Sequence, residues 1–307
     1  MRKFSVKLLS TLTILMLFVV VSCQNKDTKE VKVEETKEKV VTAKVIAPQP
    51  SPFSKVEQKV GLTDVVLEYS RPGVKGRTVF GDLVPFGKVW RTGANARTKV
   101  TFSTDITIDG NVLKKGTYAI FTKPEKDSWD VYFYTDYKGG GAPKDWDDTK
   151  VAAQVRVTVQ AMPMKIETFT MTFDDLTNNS AVLGILWENA YVGVPFSVPT
   201  DKAVMASIDE VMKGSPDSNA YYSAAVYYKS ENKDINQALT WIDKAIEMTS
   251  EDPKFWMVRQ QSLIHAKAGK VETAIAAAKK SLELAEKAGN DDYIKMNKAS
   301  LKEWGAL

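Results

Sequence analysis

The chain has 307 residues, of which 44% are hydrophobic and 26% charged, and its formal net charge is +4. This composition excludes a wholly disordered chain and a protein with several membrane spans, and the length suggests two domains. The chain contains one Cys and one His. Cys and His supply most nucleophiles, general bases and transition-metal ligands, so one of each argues against nucleophilic or transition-metal catalysis.

The first 22 residues have the features of a targeting segment. Three cations precede an apolar run over residues 8–21, which is too short to span a bilayer. The run ends in Val20-Val21-Ser22-Cys23, which resembles the lipobox of bacterial lipoproteins. We therefore predict a lipoprotein signal peptide over residues 1–22 and lipidation of Cys23; an ordinary secretory peptide with an incidental Cys is the alternative. Cleavage before Cys23 lowers the formal charge from +4 to +1.

Residues 23–52 predict a disordered tether. This segment mixes Lys with Glu, has no aromatic residue and ends in Pro48, Pro50 and Pro52. Such a composition buries too little apolar surface to offset the entropy of ordering, although a short helix is an alternative for the Lys/Glu run. Gln24, rather than Asp, follows the Cys. By analogy with the common sorting rule, we predict anchoring at the outer membrane, on its periplasmic or surface face.

Residues 53–199 alternate apolar and polar side chains with a period near two, which is typical of β-strands. Turn signals such as Asp109-Gly110-Asn111 separate the short segments. Many short strands without a long helical pattern between them predict an antiparallel β-sandwich. The predicted strands cover residues 65–69, 100–108, 117–121, 129–134, 154–159, 166–173, 181–187 and 190–196.

Part of this region carries a family signature. The stretch from Tyr69 to Arg77 and the stretch from Leu83 to Asn95 resemble the bacterial domain-of-unknown-function family numbered 2911. The resemblance extends to Trp187-Glu188 and covers about half of the chain. It implies a secreted or lipid-anchored β-sandwich, in several members with a helical C-terminal extension, and it implies no substrate. Ala96-Arg97 departs from the family pattern, which has an acidic or small residue and then Ala after Asn95.

Residues 200–307 change to the helical period of 3.6. The second and third predicted helices align with the fourth and fifth at an offset of 36 residues, and Asp252-Pro253 predicts the start of the fourth. The pattern resembles a tetratricopeptide-type repeat pair, with 34 as the usual repeat length. We therefore predict a short all-α repeat domain that docks an envelope protein. The predicted helices cover residues 204–212, 220–228, 235–248, 255–268, 271–284 and 292–304.

One candidate ligand site combines guanidinium forks, an amide and a carboxylate. Guanidinium groups suit carboxylate, sulfate or sugar-acid ligands, so this set predicts binding of a polar or anionic small ligand. The alternative is a structural network, with an Arg91–Glu188 ion pair and the other groups bound to loop carbonyls. The residues of this candidate site are Arg71, Arg77, Arg91, Asn95 and Glu188.

A second candidate is the acidic loop that contains Asp145, Asp147 and Asp148 around Trp146, close in sequence to Trp129. Clustered carboxylates could hold Ca²⁺, or a pair of them could hydrolyse a glycosidic bond beside a stacking indole. A solvated acidic loop without either role is the alternative. The lone imidazole, His265, falls in the helical region and is predicted to be a packing residue.

Together these features predict an envelope lipoprotein that binds rather than catalyses, with no cofactor. Its expected partners are a membrane, through the lipid anchor, an envelope protein, through residues 200–307, and a small polar or anionic ligand. Nucleic acid is not expected, since no basic stripe or aromatic RNA-binding signature is present. A carbohydrate-active hydrolase that uses paired carboxylates is the alternative function.

Overall fold

The computed structural model describes residues 46–307. The predicted signal peptide, Cys23 and most of the predicted tether lie outside the described residues. Residues 48–307 group into one compact unit. Over the described range, no helix has the length and apolar character needed to cross a membrane.

Strands form the first part of the described chain, and the predicted antiparallel β-sandwich is confirmed. All strand pairs within the two sheets are antiparallel, with orders β1-β2-β3-β6-β7-β8 and β5-β4-β10-β9. The strands are β1 Phe53–Val60, β2 Thr63–Ser70, β3 Lys99–Phe102, β4 Ile106–Ile108, β5 Asn111–Leu113, β6 Gly116–Pro124, β7 Ser128–Tyr134, β8 Val151–Thr158, β9 Gln160–Asp174 and β10 Ser180–Ser197.

Alternation along the strands builds the sandwich core. Val65, Leu67 and Val131 are fully buried, and Trp129 and Leu183 are 1% exposed. Because successive side chains of a strand point to opposite faces, the period-two pattern places these residues between the sheets. Burial of each large apolar side chain contributes about 1.5–3 kcal/mol, so this core is the main source of stability.

Two predicted strand boundaries are wrong. Residues 100–108 form two strands in different sheets, because the chain leaves the first sheet after Phe102 and enters the second at Ile106. Conversely, residues 181–187 and 190–196 lie in the single strand β10, which bends at Glu188, where φ is +53°. The bend brings Gly193 against Val182: a Cβ on Gly193 would stand 2.8 Å from the Val182 Cγ1.

A paired charge lies on the outer face of the first sheet. Arg156 donates two hydrogen bonds of 2.9 Å to the carboxylate of Asp130, which is 5% exposed. The hydrogen bond from Arg156 holds the pKa of Asp130 below its usual range. This bidentate pair joins β7 to β8 through side chains as well as through the backbone ladder.

Helices form the second part of the described chain, as predicted. Asp217, Asp234 and Asn290 cap α2, α3 and α6 by accepting hydrogen bonds from backbone N–H groups. The predicted Asp252 cap of α4 is wrong: the N-cap is Lys254, and Asp252 pairs with the ammonium of Lys254 instead. The helices are α1 Thr200–Met212, α2 Ser218–Ser230, α3 Ile235–Met248, α4 Phe255–Lys267, α5 Val271–Lys287 and α6 Asp291–Glu303.

Small side chains allow the helices to pack closely. Ala225, Ala238, Ala245 and Ala274 are fully buried where neighbouring helices meet. Their methyl groups let two backbones approach more closely than larger side chains would. Each of α3, α4 and α5 packs against the helix before it and the helix after it.

Polar contacts join the helices to the sandwich. The carboxylate of Glu231, just after α2, accepts hydrogen bonds of 2.6 Å from the amides of Asn178 and Asn179 in the β9–β10 turn. The hydroxyl oxygen of Thr200 accepts a hydrogen bond of 3.3 Å from the backbone N–H of Leu62. We call these the junction contacts; they tie the first and second helices to two hairpin ends of the sandwich.

Candidate functional site

A cavity of about 310 Å³ lies where the long connection between β2 and β3 meets β10. Trp187 forms part of its floor and is only 2% exposed. Arg77 and Leu83 are exposed and belong to its mouth. We call it the arginine cavity; its lining residues are Ser51, Pro72, Arg77, Leu83, Val84, Trp90, Arg91, Gly93, Ala94 and Trp187.

Backbone contacts hold the connection in place around Arg91. Trp90 exchanges two backbone hydrogen bonds with Thr122 of β6, of 2.7 and 2.9 Å. Thr92 then has φ +55°, which is unusual for a β-branched residue, and Gly93 has φ +139°. A Cβ on Gly93 would stand 3.0 Å from the Ser70 carbonyl oxygen. Arg91 is thus presented on a tight, strained turn whose position the neighbouring strands determine.

Two indole rings form an apolar wall of the cavity. The rings of Trp90 and Trp187 are stacked, with centroids 5.7 Å apart and planes at 18°. Phe169 packs edge-on against both rings, at 5.4 and 5.6 Å. The Trp90 indole N–H also donates a hydrogen bond of 3.2 Å to the Gly93 carbonyl oxygen. These contacts fix the orientation of the wall.

Arg91 has the least satisfied side chain of the cavity. Its Nε is buried and has no hydrogen-bond partner within residues 46–307. The Arg91–Glu188 pair of the structural alternative is absent: Glu188 instead accepts a hydrogen bond of 3.1 Å from the Val79 N–H and lies 3.8 Å from the Lys165 ammonium. The guanidinium of Arg91 therefore carries a buried donor that the described residues leave unsatisfied.

The other candidate arginines are bound to the protein itself. Arg71 donates to the Phe169 carbonyl oxygen at 3.0 Å and to the Thr170 hydroxyl at 2.7 Å, and it does not line the cavity. Arg77 donates to the carbonyl oxygens of Val74 and Gly73, at 3.0 and 2.7 Å. Of the predicted site residues, the structure therefore brings Arg77 and Arg91 together in the cavity and leaves Arg71 beside it.

Asn95 holds the chain that enters β1. Its amide donates hydrogen bonds of 2.9 Å to the Gln49 side chain and to the Ser51 carbonyl oxygen. Asn95 does not line the cavity, but Ser51 does. In this geometry Asn95 positions the cavity rim, and its predicted ligand role stays a prediction.

A family model matches the part of the chain that contains the arginine cavity. Residues 51–196 match the family described as Protein of unknown function (DUF2911). The matched residues, here called the DUF2911 region, include all ten that line the arginine cavity. No curated protein and no solved structure matches the chain.

The acidic loop of the DUF2911 region makes hydrogen bonds with itself. Asp147 accepts hydrogen bonds from the backbone N–H and the hydroxyl of Thr149. These bonds, chiefly the one from the hydroxyl, hold the pKa of Asp147 below its usual range. Asp148 accepts a hydrogen bond of 2.8 Å from the indole N–H of Trp146, and Asp145 is exposed. In the part of the chain that the structure describes, no cluster of three or more acidic, His or Cys residues is arranged to hold a metal ion.

Trp146 packs on the outer face of the first sheet, with its ring 4.7 Å from that of Tyr134. Trp129, which sequence proximity placed beside the acidic loop, is instead in the core and contacts Phe80 at 4.8 Å. Trp129 and Tyr134 both belong to β7, and because they are an odd number of residues apart they point to opposite faces of the sheet. Trp146 packs on Tyr134 and therefore lies on the face opposite to Trp129. The apolar cover over the outer face explains why β7 is buried on both sides.

Arg97 is a buried residue whose role the sequence did not reveal. It is 8% exposed and donates to the carbonyl oxygens of Asp136 and Gly141, at 2.7 and 3.1 Å. It also pairs with the Asp136 carboxylate at 3.1 Å, and its hydrogen bond holds the pKa of Asp136 below its usual range. Arg97 thus clamps the loop after β7.

His265 is buried in the helical region, at 7% exposure. Its Nε2 lies 2.8 Å from an Asp243 carboxylate oxygen and its Nδ1 lies 2.7 Å from the Thr273 hydroxyl. These contacts join α4 to α3 and α5. The predicted packing role is therefore combined with polar contacts to both neighbouring helices.

Proposed function

We propose that this chain is a bacterial envelope lipoprotein whose DUF2911 region binds a small anion in the arginine cavity and whose helices dock an envelope protein. The observation that carries the binding role is the buried Nε of Arg91, which has no partner among the described residues. A buried donor without a hydrogen bond costs about 1–3 kcal/mol. An anion in the cavity would supply that bond.

The charge of the cavity supports an anionic ligand. Arg77 and Arg91 are among its lining residues, and no Asp or Glu is. A guanidinium next to an apolar wall attracts an anion more strongly than one in water, because the local dielectric is lower. The volume of about 310 Å³ lies at the small end of the range for small-molecule sites.

The test of anion binding uses isothermal titration calorimetry with acetate, sulfate, inorganic phosphate and benzoate, each against the purified chain. Arg91→Gln removes the available charge, and Lys126→Gln removes one charge from an exposed turn as the matched control. We expect at least one anion to bind to the wild type and to Lys126→Gln but not to Arg91→Gln. No binding by any of the four, or equal binding to all three proteins, would contradict the proposal.

The envelope location rests on the lipobox-like sequence that ends at Cys23. Two or more acyl chains on that residue would hold the protein firmly at a membrane. We expect the wild type to incorporate a labelled fatty acid and to sediment with outer membranes, and Cys23→Ala to do neither. Release of the wild type into the periplasm would refute the anchor.

The docking role rests on a groove of about 630 Å³ between α3, α4 and α5, which belong to the proposed tetratricopeptide-like pair. The groove combines apolar Ile246 and Val258 with charged Asp243, Glu247 and Lys280. A photo-crosslinking residue at Ala276, in the groove, is expected to capture one defined envelope protein in living cells. The matched position is Lys295, which is exposed on α6; the same capture from both positions would contradict docking in the groove.

A further inference from the structure

We infer that the arginine cavity binds a tetrahedral oxyanion that carries two negative charges, such as sulfate, phosphate or the phosphoryl group of a phosphate ester. This inference deepens the anion-binding function proposed above and depends on it. Two observations carry it: the cavity is lined by two guanidinium groups that have no carboxylate partner, and the chain segment around them has a large excess of cations.

The two guanidinium groups of the cavity determine the charge of the ligand. Among the arginines of residues 46–307, Arg97 and Arg156 form ion pairs with carboxylates, whereas Arg77 and Arg91 do not. No Asp or Glu lines the cavity either. Two positive charges therefore border one cavity without a fixed counter-charge from the described chain. A dianion neutralises both charges, whereas a monoanion leaves one of them uncompensated.

Both guanidinium groups retain donors that the described chain does not use. Arg77 holds the carbonyl oxygens of Val74 and Gly73 with its Nε and Nη2, so its Nη1 remains for a ligand at the exposed mouth. The buried Nε of Arg91 is out of reach of a ligand, but its Nη1 and Nη2 are not buried and make no hydrogen bond within residues 46–307. The donors that a ligand can reach thus come from two different side chains.

This division of donors favours a tetrahedral group. Arginine forms bidentate pairs with carboxylates and with phosphates alike, so one guanidinium would not distinguish them. A bidentate pair with Arg91 engages both oxygens of a carboxylate. A tetrahedral oxyanion has further oxygens, which can accept from Arg77 while the first two are bound to Arg91. A sulfate or phosphoryl group therefore uses both side chains at once.

The connection between β2 and β3 surrounds the cavity with positive charge. Residues 71–97 contain six Lys or Arg side chains and one acidic side chain, Asp82. Of these cations, Arg97 alone pairs with a carboxylate of the described chain, that of Asp136. The attraction of such a segment for an anion increases with the charge of the anion, so it favours a dianion over a monoanion. The six cations are Arg71, Lys75, Arg77, Lys88, Arg91 and Arg97.

The first experiment separates charge from shape, by isothermal titration calorimetry with the full chain. Sulfate and methyl sulfate are both tetrahedral, but sulfate carries two negative charges and methyl sulfate carries one. We expect sulfate to bind to the wild type at least about 10-fold more tightly than methyl sulfate, as the loss of one charged hydrogen bond implies. This comparison needs no variant, so it does not depend on how a substitution affects folding.

The second experiment asks whether both arginines contribute. Arg77→Gln and Arg91→Gln should each weaken sulfate binding by about 10-fold or more. The matched control is Arg71→Gln, because Arg71 also donates hydrogen bonds to the protein but does not line the cavity. This control should leave sulfate binding unchanged, and circular dichroism should show that all three variants are folded.

A third titration distinguishes the two sources of such a group, a free oxyanion and a phosphate ester. It compares inorganic phosphate with glycerol 3-phosphate at about pH 8, where a phosphate ester with a second pKa of about 6 is a dianion. Tighter binding of glycerol 3-phosphate would assign the cavity to a phosphate ester. Equal or tighter binding of inorganic phosphate would assign it to a free oxyanion. Either result supports the dianion.

The remaining outcomes separate this inference from the anion-binding proposal. If methyl sulfate binds as tightly as sulfate and both are lost in Arg91→Gln, the dianion is overturned and anion binding stands. Sulfate binding that requires Arg91 but not Arg77 has the same meaning. Sulfate binding that is unchanged in both variants would place the ligand elsewhere and overturn both proposals, as would the absence of binding by every probe.

Discussion

Replacing Arg91 with Met should stabilise the ligand-free protein. Met retains an unbranched apolar stem for packing against the turn and removes the guanidinium, whose buried Nε has no partner within residues 46–307. An unsatisfied buried donor costs about 1–3 kcal/mol, so its removal should raise the free energy of unfolding by about that amount. The smaller Met side chain makes fewer packing contacts, which offsets part of this increase. We therefore expect a net gain of about 1 kcal/mol in the free energy of unfolding, with loss of anion binding.

The assay is urea unfolding in a buffer free of carboxylates, phosphate and sulfate, followed by tryptophan fluorescence, because two indoles border the cavity. In thermal unfolding, the same gain corresponds to a rise in the midpoint of about 2–4 °C for a region of this size. If Arg91 instead served the fold, Arg91→Met would lower the free energy of unfolding by more than about 1 kcal/mol. That result would refute the assignment of Arg91 to a ligand.

Three further changes test the surrounding structure. Asp130→Asn should lower the free energy of unfolding by about 1–2 kcal/mol at neutral pH. Because the pKa of Asp130 is lowered in the folded protein, its stabilisation is complete above the unfolded-state pKa of about 4. The difference between Asp130→Asn and wild type should vanish as the pH falls through the folded-state pKa. Gly184→Ala places a Cβ 2.4 Å from two side-chain oxygens and should cost about 1–3 kcal/mol by urea unfolding, whereas Gly214→Ala, with its nearest atom at 3.6 Å, should change little. Glu231→Ala removes both hydrogen bonds from the β9–β10 turn and should speed proteolysis near Asn179 at least severalfold. The circular dichroism spectrum should stay unchanged. An unchanged rate of proteolysis would show that the junction contacts contribute little to stability.

The class of fold could be predicted from periodicity, but some strand ends could not. The change from period two to period 3.6 separates the strands from the helices, since Ser197 ends β10 and Thr200 begins α1. Strand β1 escaped prediction because it is an edge strand whose burial alternates only between exposed and half-buried over most of its length. The break inside residues 100–108 depends on which sheet each half joins, and that choice is made by tertiary contacts.

The candidate site was predictable in part. The basic, glycine-rich stretch from Arg71 to Asn95 does surround the arginine cavity, as its residue types suggested. Glu188 was expected beside Arg91, but its positive φ at the bend of β10 directs it to other partners. The contribution of Trp187 to the wall could not be predicted, because it comes from a strand about a hundred residues away.

The most direct test of the binding role observes the Arg91 side chain itself. In a ¹⁵N-labelled sample, its Nε–H resonance can be assigned as the signal that disappears in Arg91→Gln. Because this N–H lacks a partner within the described residues, it should shift progressively as an anion that binds is added and stop at saturation. A resonance that stays in place at saturating benzoate, sulfate and phosphate would contradict the account.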